Sequence, residues 1–238
     1  MRDRRKISGV FVLMLVLAFP FARLFHEHQP NLTEPVLFIG TGNGPTLPEL
    51  VGTPFKDIQA ESRIFIDNEF SGLETNVIIG GFAEWVRATN GLIDFHVQPK
   101  GTWEFGDGLP DGNLSELKSS SDKVCSKDIY VVRLSSKSAV IRMIEKNTST
   151  ELAGYAHPGC DVKFILLVAD RLRSELDFRT ATIHEIGHML GLQHFAVPGI
   201  TVMYPNLGGA RACVTPTDLV ALCSLWRCKP EKLSPCPL

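Results

Sequence analysis

Five residues have types and spacing that could do chemistry together: His184, Glu185, His188, Gly191 and His194, arranged as HExxHxxGxxH. Residues four apart share one face of a helix, so His184 and His188 can aim imidazole nitrogens at one metal ion while the backbone stays regular. Gly191 stands where the chain must leave that helix sharply. Lacking a β-carbon, it can adopt a left-handed conformation that folds the chain back and presents His194 as a third ligand. Three neutral imidazoles leave a zinc ion its charge and one open position, where a water is acidified towards a pKa of about 7. Glu185 projects about 100° around the helix from His184, off the metal but near its open side, which is the place for a general base. That base would take a proton from the zinc-bound water as it attacks a carbonyl, then pass it to the departing amine. A bare HExxH arises by chance on polar helix faces; the added glycine and third histidine at fixed spacing make chance a poor account. His26, His28, His96 and His157 lack such spacing and read as ordinary polar positions.

The elements that must position these residues follow from hydrophobic periodicity. Asp177 is expected to N-cap a helix that starts at Phe178, carries Ile183, Ile186 and Leu190 beside the histidines, and ends at Gly191. Val162 to Ala169 is almost wholly apolar and reads as a central strand; Ile129 to Leu134 and Arg63 to Asp67 read as further strands. Between Arg63–Asp67 and the next strand, Leu92 to Val97, lies a helical pattern over Thr75 to Thr89, with Val77, Ile78, Phe82, Trp85 and Val86 on one face and Gly91 as its stop. Leu152 to His157 is a shorter segment ending at Pro158-Gly159. Thr217 to Trp226 reads as a last helix begun by Thr215-Pro216. Gly101 to Lys127, rich in Gly, Ser, Asp and Lys, reads as a long surface loop. Asp107, Asp111 and Asn113 could offer oxygens to calcium there, but the pattern of a calcium-binding helical hairpin loop is absent and calcium is unsupported.

Composition bounds the rest. At 238 residues and 44% hydrophobic content the chain can bury one domain-sized core plus short terminal segments. A formal net charge of −2 gives no broad attraction to nucleic acid or to an acidic membrane. Arg2, Arg4, Arg5 and Lys6 followed by an apolar run from Ile7 to Phe21 have the layout of a secretory signal, with a retained anchor as the alternative. Six cysteines, Cys125, Cys160, Cys213, Cys223, Cys228 and Cys236, in an exported chain suggest disulfides of undetermined pairing, in preference to a second zinc site. Asn31, Asn113 and Asn147 each begin an N-x-S/T triplet.

HEIGHMLGLQH followed by Val202-Met203-Tyr204-Pro205 resembles the metzincin metallopeptidases, and the Met-Tyr-Pro ending is most similar to the matrixin branch. Phe82-Ala83-Glu84-Trp85, the Gly154 to Gly159 segment and Thr217-Asp218-Leu219 extend the resemblance over roughly residues 61 to 228. The resemblance implies an α+β, zincin-like fold: a twisted, mixed, mostly parallel sheet of about five strands with three helices and a catalytic zinc cleft. It implies Met203 as an apolar floor beneath the ligands, Asp218 as a brace for the Met-turn, although a helix N-terminal carboxylate is an equal reading, and Leu152 to His157 as the antiparallel edge strand that pairs with extended substrate. Tyr204 sits one residue too early to be a fifth ligand. The family's cysteine switch is absent from the exported part, and residues 135 to 151 hold no histidine for a second zinc.

The expected organisation is a signal or anchor over 1–25, a Pro/Gly-rich linker or short pro-segment over 26–60, a catalytic domain over 61–229 and a Cys/Pro-containing tail over 230–238. The expected activity is that of an exported zinc metalloendopeptidase binding one zinc ion, with Glu185 as base, His184, His188 and His194 as ligands, and Met203 and Gly191 in support. Its expected partners are protein or peptide substrates in extended form, with no nucleic acid and no membrane beyond an N-terminal anchor; oligomeric state is not read. The alternative is a secreted, zinc-stabilised binding module, against which the presence of Glu185 counts.

Overall fold

A computed structural model describes residues 62–99, 127–148, 150–158, 163–195 and 197–236. The expected signal, linker, calcium loop, Cys125, Cys160, Asn31 and Asn113 lie outside these residues. The described residues build a five-stranded sheet in the order β2-β1-β3-β5-β4. Its strands are β1 (Ser62–Ile66), β2 (Phe95–Val97), β3 (Asp128–Leu134), β4 (Gly154–Pro158) and β5 (Lys163–Val168). Every pairing is parallel except β4 with β5, which is antiparallel and sets Gly154 opposite Leu167. Four α-helices accompany the sheet among the described residues: α1 (Gly72–Ala88), α2 (Ala139–Thr148), α3 (Glu175–Met189) and α4 (Pro216–Trp226). None of the helices described is long and apolar enough to cross a membrane.

Strand periodicity divides the core. On one face Ile64, Ile129, Val131, Ile165 and Leu167 join Phe82 and Trp85 of α1 and Ile183 and Ile186 of α3. On the other, Val132, Phe164, Leu166 and Val168 pack with Val140, Ile141 and Ile144 of α2. β5 is buried at all six positions because it has helices on both sides, which is why its sequence after Lys163 is a continuous apolar run rather than alternating.

The class expected from the sequence is found, with corrections in detail. The helix count among the described residues is four rather than three: α2 adds a helix whose Val140, Ile141 and Ile144 fall on one face, and burying each contributes about 1.5–3 kcal/mol. Asp177 is not the N-cap of α3. Ser174 caps it: its hydroxyl accepts from Asp177 N at 3.1 Å, and the Asp177 carboxylate accepts from Ser174 N at 3.0 Å. This reciprocal box starts the helix three positions earlier than a lone Asp cap would. The same device, Ser71 with Glu74, starts α1 at Gly72 rather than Thr75. β2 is shorter than Leu92–Val97, since Asn90 (φ 52°) and Gly91 (φ 74°) carry the chain through a turn that runs on to Asp94.

The C-terminal segment is tied to the body. Cys213 is bonded to Cys236 and Cys223 to Cys228, and none of the described cysteines is free. Cys236 N donates to Val214 O at 2.8 Å, and Arg87 donates to Ser234 O at 2.8 Å. Buried Glu84 organises the same corner, accepting from Arg87 and from Val214 N and facing Arg179 at 3.8 Å.

Candidate metal centre and its surroundings

α3 is the element that positions the chemistry. It is covered on nearly all sides, packing against α1, β4 and β5. Close approach to α1 is possible because position 81 is glycine: a β-carbon there would lie 2.6 Å from Thr182 Cγ2. Trp85 Nε1 donates to Ile183 O at 2.9 Å, which fixes the height of one helix on the other.

The helix ends in a turn that closes on the site. Gly191, at φ 95°, donates to His188 O at 3.0 Å, and Leu192 N donates to Gly187 O at 3.0 Å. These are the paired bonds of a Schellman motif, which needs the left-handed residue that glycine supplies. The carbonyl turned inward by this motif, Leu192 O, accepts from His188 Nδ1 at 2.8 Å. His184 Nδ1 donates to Val202 O at 2.7 Å. A carbonyl can only accept, so both rings carry their proton on Nδ1 and present a bare lone pair on Nε2.

The Nε2 atoms converge. His194 Nε2 lies 3.1 Å from His188 Nε2 and 3.2 Å from His184 Nε2, and these three residues are the one such cluster among the described residues. Tetrahedral zinc with Zn–N bonds of about 2.0–2.1 Å would space its nitrogens by roughly 3.3 Å. Lone pairs brought this close repel one another unless a cation lies between them, and the donor set fits zinc. Burial pushes the His188 imidazolium down to about 4, against the opposing effect of its bond to Leu192 O, so the ring is neutral as a ligand must be.

Glu185, next to the first of these histidines, is fully buried. Neither carboxylate oxygen has a hydrogen-bond partner within the protein. Burial pushes its carboxyl well above the ordinary range.

Met203 is buried and rests against Gly187, next to His188 in α3, where a β-carbon would collide with its sulfur. Its own N–H donates to Thr201 Oγ1 at 2.9 Å, and its carbonyl accepts from Phe195 N at 2.8 Å. Asp218, near the start of α4, joins this turn to that helix. It accepts from the Thr201 hydroxyl, from Val202 N at 3.2 Å, and from Thr215 N and Oγ1 at 2.8 and 2.7 Å. Burial raises its carboxyl above the ordinary value, even though these bonds pull the other way. The two readings of Asp218 therefore merge: it completes the capping box of α4 and also holds the backbone whose Val202 carbonyl fixes His184.

Other candidates sit elsewhere. Tyr204 is half-buried with its ring against Gly209. His96 is exposed on β2 beside Asp94, and His157 stacks on Phe164 at 4.9 Å. Two participants, Gly187 and Gly154, were not singled out from the sequence. Gly187 makes room for Met203, and Gly154 on β4 lies against the Glu185 side chain. No local pattern marks either, because the atom each accommodates is remote in sequence.

Comparison with known proteins gives one family. The sequence matches the matrixin family over residues 78–226. Among solved structures the chain is similar to high choriolytic enzyme 1, a hatching-enzyme zinc protease from the medaka fish Oryzias latipes, at 13% identity and a TM-score of 0.42, covering 80% of this chain and 100% of that one. It is similar also to metalloproteinase-II from Bacteroides fragilis, at 14% identity and a TM-score of 0.42, covering 81% of this chain and 58% of that one. No curated protein matches it.

Proposed function

This chain belongs to the matrixin family and is a zinc metalloendopeptidase, and on that premise we propose that it cuts extended peptide segments of proteins outside the cytoplasm, with Glu185 as general base and His184, His188 and His194 as the zinc ligands. The convergence of three imidazole nitrogens, two of them with tautomers set by backbone carbonyls, carries the ligand assignment. When bound, zinc supplies Lewis-acid polarisation of the scissile carbonyl and lowers the pKa of a water towards neutrality.

The chain's own groups do the rest. Glu185 accepts the proton of the attacking water and delivers it to the leaving amine. Gly191 and the bonds to Val202 O and Leu192 O hold the imidazoles so that no reorganisation accompanies the reaction. Met203 fills the space below them and excludes water.

Substrate alignment falls to β4. It terminates the sheet, with a strand partner on one side among the described residues, so its outer edge can pair an extended peptide through backbone hydrogen bonds. The setting outside the cytoplasm is supported by two disulfides within the described residues.

The test is cleavage of an unstructured protein by the purified, disulfide-intact chain. A chelator should abolish it and stoichiometric zinc restore it, and fragment masses from a peptide library should place cuts inside chains rather than at their ends. Cleavage indifferent to chelation, or cuts confined to chain ends, would contradict the proposal.

A further inference from the structure

The geometry points to Gly154 of β4 as a positioning residue that makes room for the carboxylate of Glu185; this rests on the proposed role of Glu185 as base. A β-carbon built on Gly154 would lie 2.6 Å from Glu185 Oε1, 2.9 Å from Cγ and 3.0 Å from Cδ. Contact therefore involves the whole arm, not only its tip. Gly154 is not among the glycines at positive φ, and it sits in a regular antiparallel ladder opposite Leu167. Its backbone would accept any residue. Glycine in a strand sacrifices side-chain packing and order, and marks places where another group approaches closely; here that group is the catalytic carboxylate.

Neither partner has freedom to retreat. The strand is fastened at its entry: Val168 N donates to Ala153 O at 2.9 Å, Leu152 N donates to Glu145 at 2.9 Å, and Arg171 donates to Leu152 O while pairing with Glu145. On the other side α3 is wedged against α1 at Gly81 and Trp85. A methyl group at position 154 would thus act on the Glu185 side chain, displacing its oxygen by about 0.8 Å to reach ordinary contact. Misplacement of a reacting group by about 1 Å can cost 100-fold in rate.

Gly154→Ala should lower kcat about 100-fold on a fluorogenic peptide chosen from the library, with KM within about twofold of wild type and one zinc retained per chain. Glu185→Asp shortens the arm by one methylene and relieves the contact at Oε1, while its carboxyl carbon keeps the Cγ position 2.9 Å from the built β-carbon. In that background Gly154→Ala should cost clearly less than in the wild type, the non-additivity expected of two groups in direct contact. A parallel stability cycle reads the contact without activity: the Tm loss caused by Gly154→Ala should vanish in the Glu185→Ala background. Equal costs in both backgrounds, a change in KM with kcat untouched, or unfolding of Gly154→Ala both alone and together with Glu185→Ala would overturn the inference. A wild-type chain that cuts nothing would instead sink the proposed function, and a coupled stability cycle would then reduce Gly154 to a packing role.

Discussion

Asp218 connects α4 to the metal centre, and removing it should be felt in zinc affinity although it contacts no histidine. Its carboxylate accepts four hydrogen bonds, two from backbone N–H groups and two from hydroxyls, all in the interior. In Asp218→Ala the hydroxyls can find other acceptors, but Val202 N and Thr215 N are stranded at about 1–3 kcal/mol each. Together these give a destabilisation of about 2–6 kcal/mol, a large share of the 5–15 kcal/mol typical of a domain. Val202 is the residue whose carbonyl orients His184, so slack in its backbone blurs the ligand's direction. Loss of such outer support typically weakens metal binding 10–100-fold. Asp218→Asn keeps the shape and one good acceptor; placed where Oδ2 lies, it retains three of the four bonds. It should cost only about 1–2 kcal/mol. Urea unfolding of the zinc-loaded chain measures the first quantity, and competition with a chromophoric chelator measures the second. Zinc affinity unchanged in Asp218→Ala, with or without a stability loss, would refute the connection drawn through Val202.

Glu84 should stabilise the fold in a pH-dependent way. Burial opposes its charge, yet bonds from Arg87 and Val214 N outweigh that and hold its carboxyl below the ordinary range, so its stabilisation is present above the unfolded-state pKa and is lost as pH falls through the folded one. Glu84→Gln should cost about 1–2 kcal/mol at pH 7, and unfolding titrations should show the gap closing in the acid range. A gap independent of pH would contradict the assignment. The Cys213–Cys236 bond closes a loop of 23 positions, and replacing both cysteines with serine should lower stability by about 3 kcal/mol. The Cys223–Cys228 bond, with a separation of 5, should matter less, its loss costing about 2 kcal/mol in the same denaturant assay.

The site was more legible in the sequence than the structure around it. His184, His188, Gly191 and His194 obey local rules, helical spacing and one left-handed turn, and local rules survive folding. Asp177 is a good N-cap by itself, and its role as the third residue of the α3 box shows only when Ser174 is weighed with it. α2 is hard to read although Val140, Ile141 and Ile144 have helical spacing, because the segment is short and its polar remainder resembles a loop. Asp218 stayed ambiguous because Thr201 and Val202 reach it only in three dimensions. Gly154 and Gly187 were silent for the same reason: each is defined by a remote side chain that fills the place of its missing β-carbon.

The central claim is that three histidines hold zinc while Glu185 moves the proton. The most direct test is to measure bound zinc and peptide cleavage together in the wild type and in Glu185→Ala. One zinc per chain in both proteins, with cleavage reduced by about 10²–10⁴-fold in the variant, is the predicted result. Equal cleavage by the two proteins, or a wild type that cleaves without zinc, would contradict it.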